Sequence, residues 1–189
     1  MKFSEKYKNK EGEEGIFAIR GNLDGEIEEE YSEKEQFIGL KIEDEEFYLP
    51  ISIVNEIIML LPITYVPQSG KYIEGVINLR GTILPTINVR KMMGLNKCKG
   101  TAATRIIIAR SNDMLIGLLV DAITYVTALY PSEIEIQTLP GKNVGADLIS
   151  RISKSGENVT GILDLNKIIS NAGEGKLHLE SENQAETSA

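Results

Sequence analysis

The sequence is poor in the residue types from which most catalytic and metal sites are built. Its 189 residues include one cysteine, Cys98, and one histidine, His178. A lone cysteine closes no internal disulfide, and no second thiol or imidazole lies near it to share a metal ion. A disulfide scaffold and the usual zinc sets are therefore excluded. Cys98 reads as incidental, because a reactive thiol needs an electropositive setting, and His178 as part of the polar C-terminal tail. There is no Walker-type glycine loop, no G-x-G-x-x-G, no G-x-S-x-G and no Cys/His pair. Phosphate-loop, dinucleotide-binding and nucleophile-elbow chemistries lose their support, and no cofactor is implied.

Clustered positive charge is also missing. Twenty Lys and Arg stand against 28 Asp and Glu, a net charge of −8, which opposes a surface that tracks phosphates by displacing counterions. Aromatics make up 6% of the chain. That is thin for the stacking groove of an oligonucleotide-binding barrel, although a small-barrel fold would permit such a module. No run approaches the roughly 20 apolar residues that cross a bilayer, and "MKFSEKYKNKEGEEG" has no apolar centre of the signal-peptide kind. A soluble, cytoplasmic protein with no membrane insertion and no nucleic-acid partner is expected. "NVT" at Asn158 matches a glycosylation acceptor but has no secretory context. A carboxylate-only hydrolase, with Asp121 and Glu56 as acid and base, needs no motif and stays open, though nothing favours it. Asp121, ending the apolar run "GLLVD", reads better as an acceptor of backbone hydrogen bonds at a strand end.

Forty-two per cent of the residues are hydrophobic, enough for the core of one domain or of two small lobes. Residues 1–34 are rich in Glu, Lys and Gly, and "GEIEEEYSEKE" has little apolar surface to offset its ordering entropy. This predicts a disordered acidic arm, with "GIFAIR" at 15–20 as a possible short strand. Residues 171–189 read as a disordered tail. Between them, short β-rich runs alternate with turn residues. "QFIGLKI" and "EFYLPI" flank "EDE"; "RIIIARSNDMLIGLLVD" turns at Ser111-Asn112-Asp113; "ISRISKSGENVTGILD" turns at "SGEN". Each is read as a hairpin. "SIVNEIIMLLP", with Ser52 at an N-cap position and Ile53, Val54, Ile57 and Ile58 at helical spacing, predicts one or two helical turns. Short helices are also predicted in "NVRKMMG", ending at a C′ glycine, Gly94, and in "DLNKIIS", capped by Asp164. Each closes a set of strands, which suggests two similar lobes.

One charge interrupts the apolar stretch "GVINLRGTILPTINVRKMMG". A three-residue loop Leu79-Arg80-Gly81 would pair Asn78 with Thr82 and Ile77 with Ile83, and put Arg80 at a hairpin tip. Pro85, with no backbone donor, would confine its strand to an edge or a bulge. Spacing leaves two fates for Arg80: the polar residue that a turn tip requires, or a guanidinium fork presented to a carboxylate or a partner.

The stretches "FIGLKIEDEEFYLPISIVNEII", "LPITYVPQSGKYIEGVINLRGTILPTINVRKMMGL" and "RIIIARSNDMLIGLLVDAITYV" closely resemble the CheW family of chemotaxis coupling proteins, from about Gln36 to Ile169. "GVINLRG" followed by I-x-P and R-x-x-x-G is the most specific part. The resemblance implies a mainly β fold of two five-stranded barrels packed over a shared apolar seam, with a few short helices and lobes near 36–101 and 102–170 of a domain spanning 36–170. It implies no enzymatic activity. It implies an adaptor between the cytoplasmic hairpin tip of a chemoreceptor, a methyl-accepting chemotaxis protein, and the regulatory domain of the histidine kinase CheA. The adaptor would be recruited to membrane-associated receptor arrays; related adaptors serve twitching motility or gene regulation. Matched position by position, receptor contact falls on Val54, Glu56, Gly75, Asn78, Arg80 and Gly81, and kinase contact on Ile51 and Ile53, expected as apolar surface residues of the first lobe. Two departures stand out. Relatives commonly carry V-D-L-R where this chain has "INVR", with Asn88 removing a charge, and "PQSGKY" replaces a P-N-A-P type of turn.

Overall fold

The computed structural model describes residues 33–96, 100–112, 114–136, 145–155 and 158–173, together with the backbone of three N-terminal strands. Those strands, β1 (Phe3–Lys8), β2 (Glu14–Gly21) and β3 (Ile27–Tyr31), form an antiparallel meander in that order. "GIFAIR" lies inside β2. The composition of residues 1–34 predicted an acidic arm with that stretch as a short strand, and β2 covers it. Cys98 and His178 lie outside the described residues, as does the tail beyond residue 173.

Two further sheets build the domain. One contains β6 (Val54–Met59), β7 (Ile73–Leu79), β8 (Thr82–Asn88), β9 (Arg105–Ser111) and β10 (Met114–Val120), in the order β6-β9-β10-β8-β7. The other contains β4 (Glu35–Ile42), β5 (Glu45–Pro50), β11 (Ala122–Leu129), β12 (Ile134–Ile136), β13 (Ile149–Ser155) and β14 (Asn158–Leu163), in the order β11-β4-β5-β14-β13-β12. Both curl toward closure. In the first, Thr64 and Val76 exchange backbone hydrogen bonds of 2.8 and 2.9 Å, drawing the chain that leaves β6 onto β7, the opposite edge. In the second, the outer strands β11 and β12 are joined by residues 130–133, a link that reaches no further than about 18 Å.

The lobes are not successive halves of the chain. The β4–β5 hairpin belongs with the C-terminal strands, and the β9–β10 hairpin with the middle ones. The expected boundary near residue 101 is therefore corrected to an interleaved pair, and the second sheet has six strands, not five. Two parallel pairings, β8 with β10 and β5 with β14, make the exchange. Both join strands far apart in sequence, which hairpin signals do not report.

Apolar packing follows this division. Ile77, Leu84, Ile106 and Ile108 fill the first barrel, and Phe37, Tyr48, Leu129 and Ile162 the second. The largest cluster lies between them: Leu40, Ile42, Phe47 and Leu49 from one sheet meet Ile87, Ile107, Ile116 and Leu118 from the other. This is the shared seam. Helix α1 (Val89–Met92) and helix α2 (Leu165–Gly173) contribute Val89, Met92, Leu165 and Ile168 to it. The predicted caps Asp164 and Gly94 are present, and Asn88 adds an N-cap to α1 that sequence reading missed. Asn88 Oδ1 accepts from Lys91 N at 3.0 Å and Asp164 Oδ1 from Asn166 N at 2.9 Å, while Gly94 follows α1 at φ +72°.

The helix predicted at Ser52–Ile58 is instead a 3-10 turn, Ile51–Ile53, leading into β6. Val54, Ile57 and Ile58 fit either period, and six β6 residues alternate half-buried and exposed along an edge. Pairing with the Ile106–Ile108 run of β9 decided the outcome.

Candidate partner-docking site

The β7–β8 turn holds two residues, not three. Leu79 pairs with Thr82 and Asn78 with Ile83, so the expected register is one residue out. Arg80 (φ +52°) and Gly81 (φ +89°) both occupy the left-handed region, as the tight hairpin that matches strand twist requires. Gly81 meets that demand without cost; Arg80 is an unusual residue to meet it. Asn78 Oδ1 accepts from Gly81 N at 2.8 Å and braces the turn. Pro85 is tolerated inside the sheet for a local reason. Its partner Val76 spends both backbone groups on Thr64, so the missing donor of Pro85 faces β10, which pairs with β8 only from Thr86 onward.

At this tip Arg80 Nη2 donates to Glu56 Oε2 at 3.0 Å and Nη1 to Oε1 at 3.4 Å, a fork-to-fork pair. Glu56 sits on β6 and Arg80 at the end of β7, the two edge strands, so the pair closes the barrel rim from outside. Its Arg80 side chain is 79% exposed and that of Glu56 24%. Such a pair contributes at most about 1 kcal/mol to folding. Its charges remain available to an incoming group.

The other predicted residues divide. Val54 lies beside Glu56 on β6 and packs against the seam. Gly75 sits at a bulge with φ +151°, where a Cβ would overlap the Thr64 carbonyl, so it serves barrel closure rather than the exposed rim. Ile51 and Ile53, expected as apolar surface residues of the first lobe, occupy the crossover between the two sheets and are half-buried, and Ile53 packs on the seam. Sequence reading missed two apolar neighbours of Arg80. Thr86 pairs with Gly117, so three residues back along both strands Ile83 and Met114 stand at the same end of the sheet, 57% and 44% exposed. Their residue type alone carried no signal, because strand periodicity does not say which end the seam leaves uncovered. Beside Met114, the β9–β10 turn borders a cleft of about 400 Å³ between the lobes, lined by Arg110 of the first, by Pro50, Arg151, Asp164 and Asn166 of the second and by Ile53 from the crossover between them.

A second ionic cluster, also missed, lies at the far end of the first barrel. Arg90 Nη1 donates to Asp121 Oδ2 at 2.7 Å, Nη2 to Glu43 Oε1 at 2.9 Å and Nε to the Asn96 carbonyl at 2.7 Å. Asp121 Oδ2 also accepts from Glu43 N at 2.6 Å, the strand-end role predicted for it. Burial pulls the Arg90 pKa down, but the hydrogen bond and charge of Asp121, then those of Glu43, outweigh it and hold the pKa above its ordinary value. Asp121 and Glu56 thus serve different arginines at opposite ends of seven-residue strands, roughly 20 Å apart. An acid–base carboxylate pair works at about 5–10 Å. That geometry removes the hydrolase reading.

Asn88, the departure from V-D-L-R, donates Nδ2 to Glu74 Oε2 at 3.2 Å while capping α1. The lost charge is matched by a carboxylate that an aspartate would repel. The sequence profile of the CheW-like domain matches residues 36–173, which spans both interleaved lobes and α2. The chain belongs to the CheW-like family. It is 33% identical over 147 residues to the chemotaxis protein CheW of Helicobacter pylori, covering 77% of this chain and 87% of that protein. It is 33% identical over 136 residues to CheW of Bacillus subtilis, covering 71% and 86%. Among solved structures, the scaffolding protein TtCheW of Thermoanaerobacter tengcongensis superposes with a TM-score of 0.65 at 29% identity, covering 70% of this chain and 90% of that one. No helix among the described residues is long and apolar enough to cross a membrane.

Proposed function

We propose that this CheW-like chain is a non-catalytic scaffold that couples chemoreceptors to the histidine kinase CheA in chemotaxis signalling. The receptor's cytoplasmic hairpin tip docks at the Arg80–Glu56 rim and along the interlobe cleft, with Val54, Asn78 and Gly81 shaping the rim, Gly75 supporting it from behind and Ile83 and Met114 giving it apolar contact. The kinase regulatory domain docks on a barrel, with Ile51 as its contact and Ile53 supporting it from the seam. Through the receptor the chain joins membrane-associated arrays. The observation that carries this reading is an exposed ion pair that adds little to folding, set beside uncovered apolar residues at the mouth of a cleft.

Arg80→Glu tests it. The substitution places a second carboxylate beside Glu56 and reverses a rim charge, which acts chiefly on association and specificity. Receptor-fragment binding by the purified variant is expected to fall at least tenfold, with its melting temperature within a few degrees of the parent. Unchanged binding to both receptor and kinase overturns the assignment of Arg80. A large loss of stability makes the pair a structural strut instead.

A further inference from the structure

Among the described arginine side chains, all but one have an acceptor. Arg80 meets Glu56, Arg90 meets Asp121 and Glu43, and Arg151 meets Glu35. Arg105 donates to the Ala102 and Thr104 carbonyls. The exposed guanidinium of Arg110 makes no hydrogen bond or ion pair among the described residues.

The place of this unspent fork follows from register. β9 pairs with β10 without a break from Arg105 to Ser111, so side chains alternate faces along it. Ile106 and Ile108 point into the first barrel, and Arg110 is the next residue on that face, at the barrel mouth. Glu56 pairs with Ile108 across the β6–β9 ladder. Arg110 is therefore a diagonal neighbour of Glu56, about 7–8 Å away and within reach of a long side chain. Both oxygens of Glu56 are already engaged by Arg80. Two positive charges beside one negative leave the rim locally positive in a chain whose net charge is −8. Arg110 also lines the interlobe cleft, beside Ser111 and Asn112, so it stands where rim and cleft meet.

From this arrangement we infer that Arg110 is a specificity-determining contact of the docking site, and that its ligand is a carboxylate side chain of the receptor's hairpin tip. In water the free guanidinium costs folding nothing. A partner that covers it must supply an acceptor, because a buried charge left unpaired weakens binding. A carboxylate matches the planar fork with two bonds and offsets the surplus charge; a basic side chain at the same place would face two arginines. The inference rests on the receptor-docking reading and names the chemistry that reading leaves open.

Calorimetric titration of the full chain with a receptor's cytoplasmic hairpin-tip fragment tests it. Arg110→Ala should melt within about 2 °C of the parent, since the fork bonds nothing in the fold. It should bind the fragment about tenfold more weakly, the loss of one charge-assisted bond, and Arg110→Glu more weakly still. Exchanging the tip's Asp and Glu residues one at a time for Asn and Gln should reveal one carboxylate whose loss weakens binding to the parent as much, yet weakens binding to Arg110→Ala no further. Arg80→Glu reports on docking itself. If Arg80→Glu loses binding while both Arg110 variants bind within about twofold of the parent, the docking reading stands and this inference is overturned. It is also overturned if the losses are additive at every acidic position, if only kinase binding falls, or if Arg110→Ala is strongly destabilised. If all three variants bind the fragment like the parent, the docking reading falls and the inference falls with it.

Discussion

Arg90→Ala should be the most destabilising single change among the exposed or half-exposed charges. The Arg90 side chain is only 13% exposed and ties three parts of the fold: α1, the β10–β11 crossing at Asp121 and the β4–β5 turn at Glu43. Its pair with Glu43, itself half exposed, contributes no more than about 0.5 kcal/mol. The 2.7 Å bond to Asp121, 29% exposed, contributes about 1–1.5 kcal/mol, as charge-assisted bonds in partly buried settings do. The bond to the Asn96 carbonyl and the packing of the aliphatic stem add about 1 kcal/mol. The sum is about 2.5–3 kcal/mol. For a domain of this size each kcal/mol shifts Tm by about 3–5 °C, so a fall of about 8–15 °C is expected by calorimetry. A cycle with Asp121→Asn, which keeps an acceptor for Glu43 N, should return a coupling above about 1 kcal/mol between residues 90 and 121. A variant melting within about 2 °C of the parent shows that the apolar seam alone holds this end.

Tyr125 supplies a pH signature. Its hydroxyl lies 3.0 Å from that of Tyr48 and donates to Glu46 Oε2 at 3.0 Å; the Tyr48 bond first, then burial and Glu46, push its pKa well above the usual tyrosine value. A raised pKa favours the protonated native state, so this stability is complete below about pH 10 and is lost as pH rises beyond it. Urea unfolding between about pH 8 and 11 should show that loss in the parent but not in Tyr125→Phe; equal slopes refute it. Gly75→Ala should cost about 3 kcal/mol or more and yield little soluble protein, because its Cβ meets the Thr64 carbonyl at a positive φ; normal expression and melting would show that the bulge yields. Asn88→Asp restores the residue common in relatives, yet here it should destabilise by about 1–2 kcal/mol, since it replaces a donor to Glu74 with a second carboxylate. Combining it with Glu74→Gln should recover most of that loss in chemical denaturation.

Much of the local structure was legible. Both short helices, the hairpins β4–β5, β9–β10 and β13–β14, and a hairpin tip at Arg80 came from residue type and spacing. The errors are equally local in origin. Ser52–Ile58 fits a helix as well as a strand until β9 is present to pair with it. The slip of one residue at Leu79–Thr82 arose because a turn with a positive φ at arginine is not what turn statistics favour. Of the site, Glu56 and Arg80 were named from motif position. That they bond to one another, that Ile83 and Met114 stand beside them uncovered, and that Gly75 acts on closure were not.

By itself the sequence determined that this chain is mainly β, that it lacks the residues for the common catalytic and metal chemistries, and, through "GVINLRG" and its flanks, the family to which it belongs. These are properties of composition, of short-range periodicity and of contiguous motifs. Only the tertiary structure decided which strands share a barrel, how Arg90 ties Asp121 and Glu43 together, and which end of the seam stays open beside Arg80. Each depends on parallel pairings and side-chain contacts between residues 24 to 114 positions apart. Their energy comes from closing long loops around buried apolar surface, a gain that no local window of sequence contains.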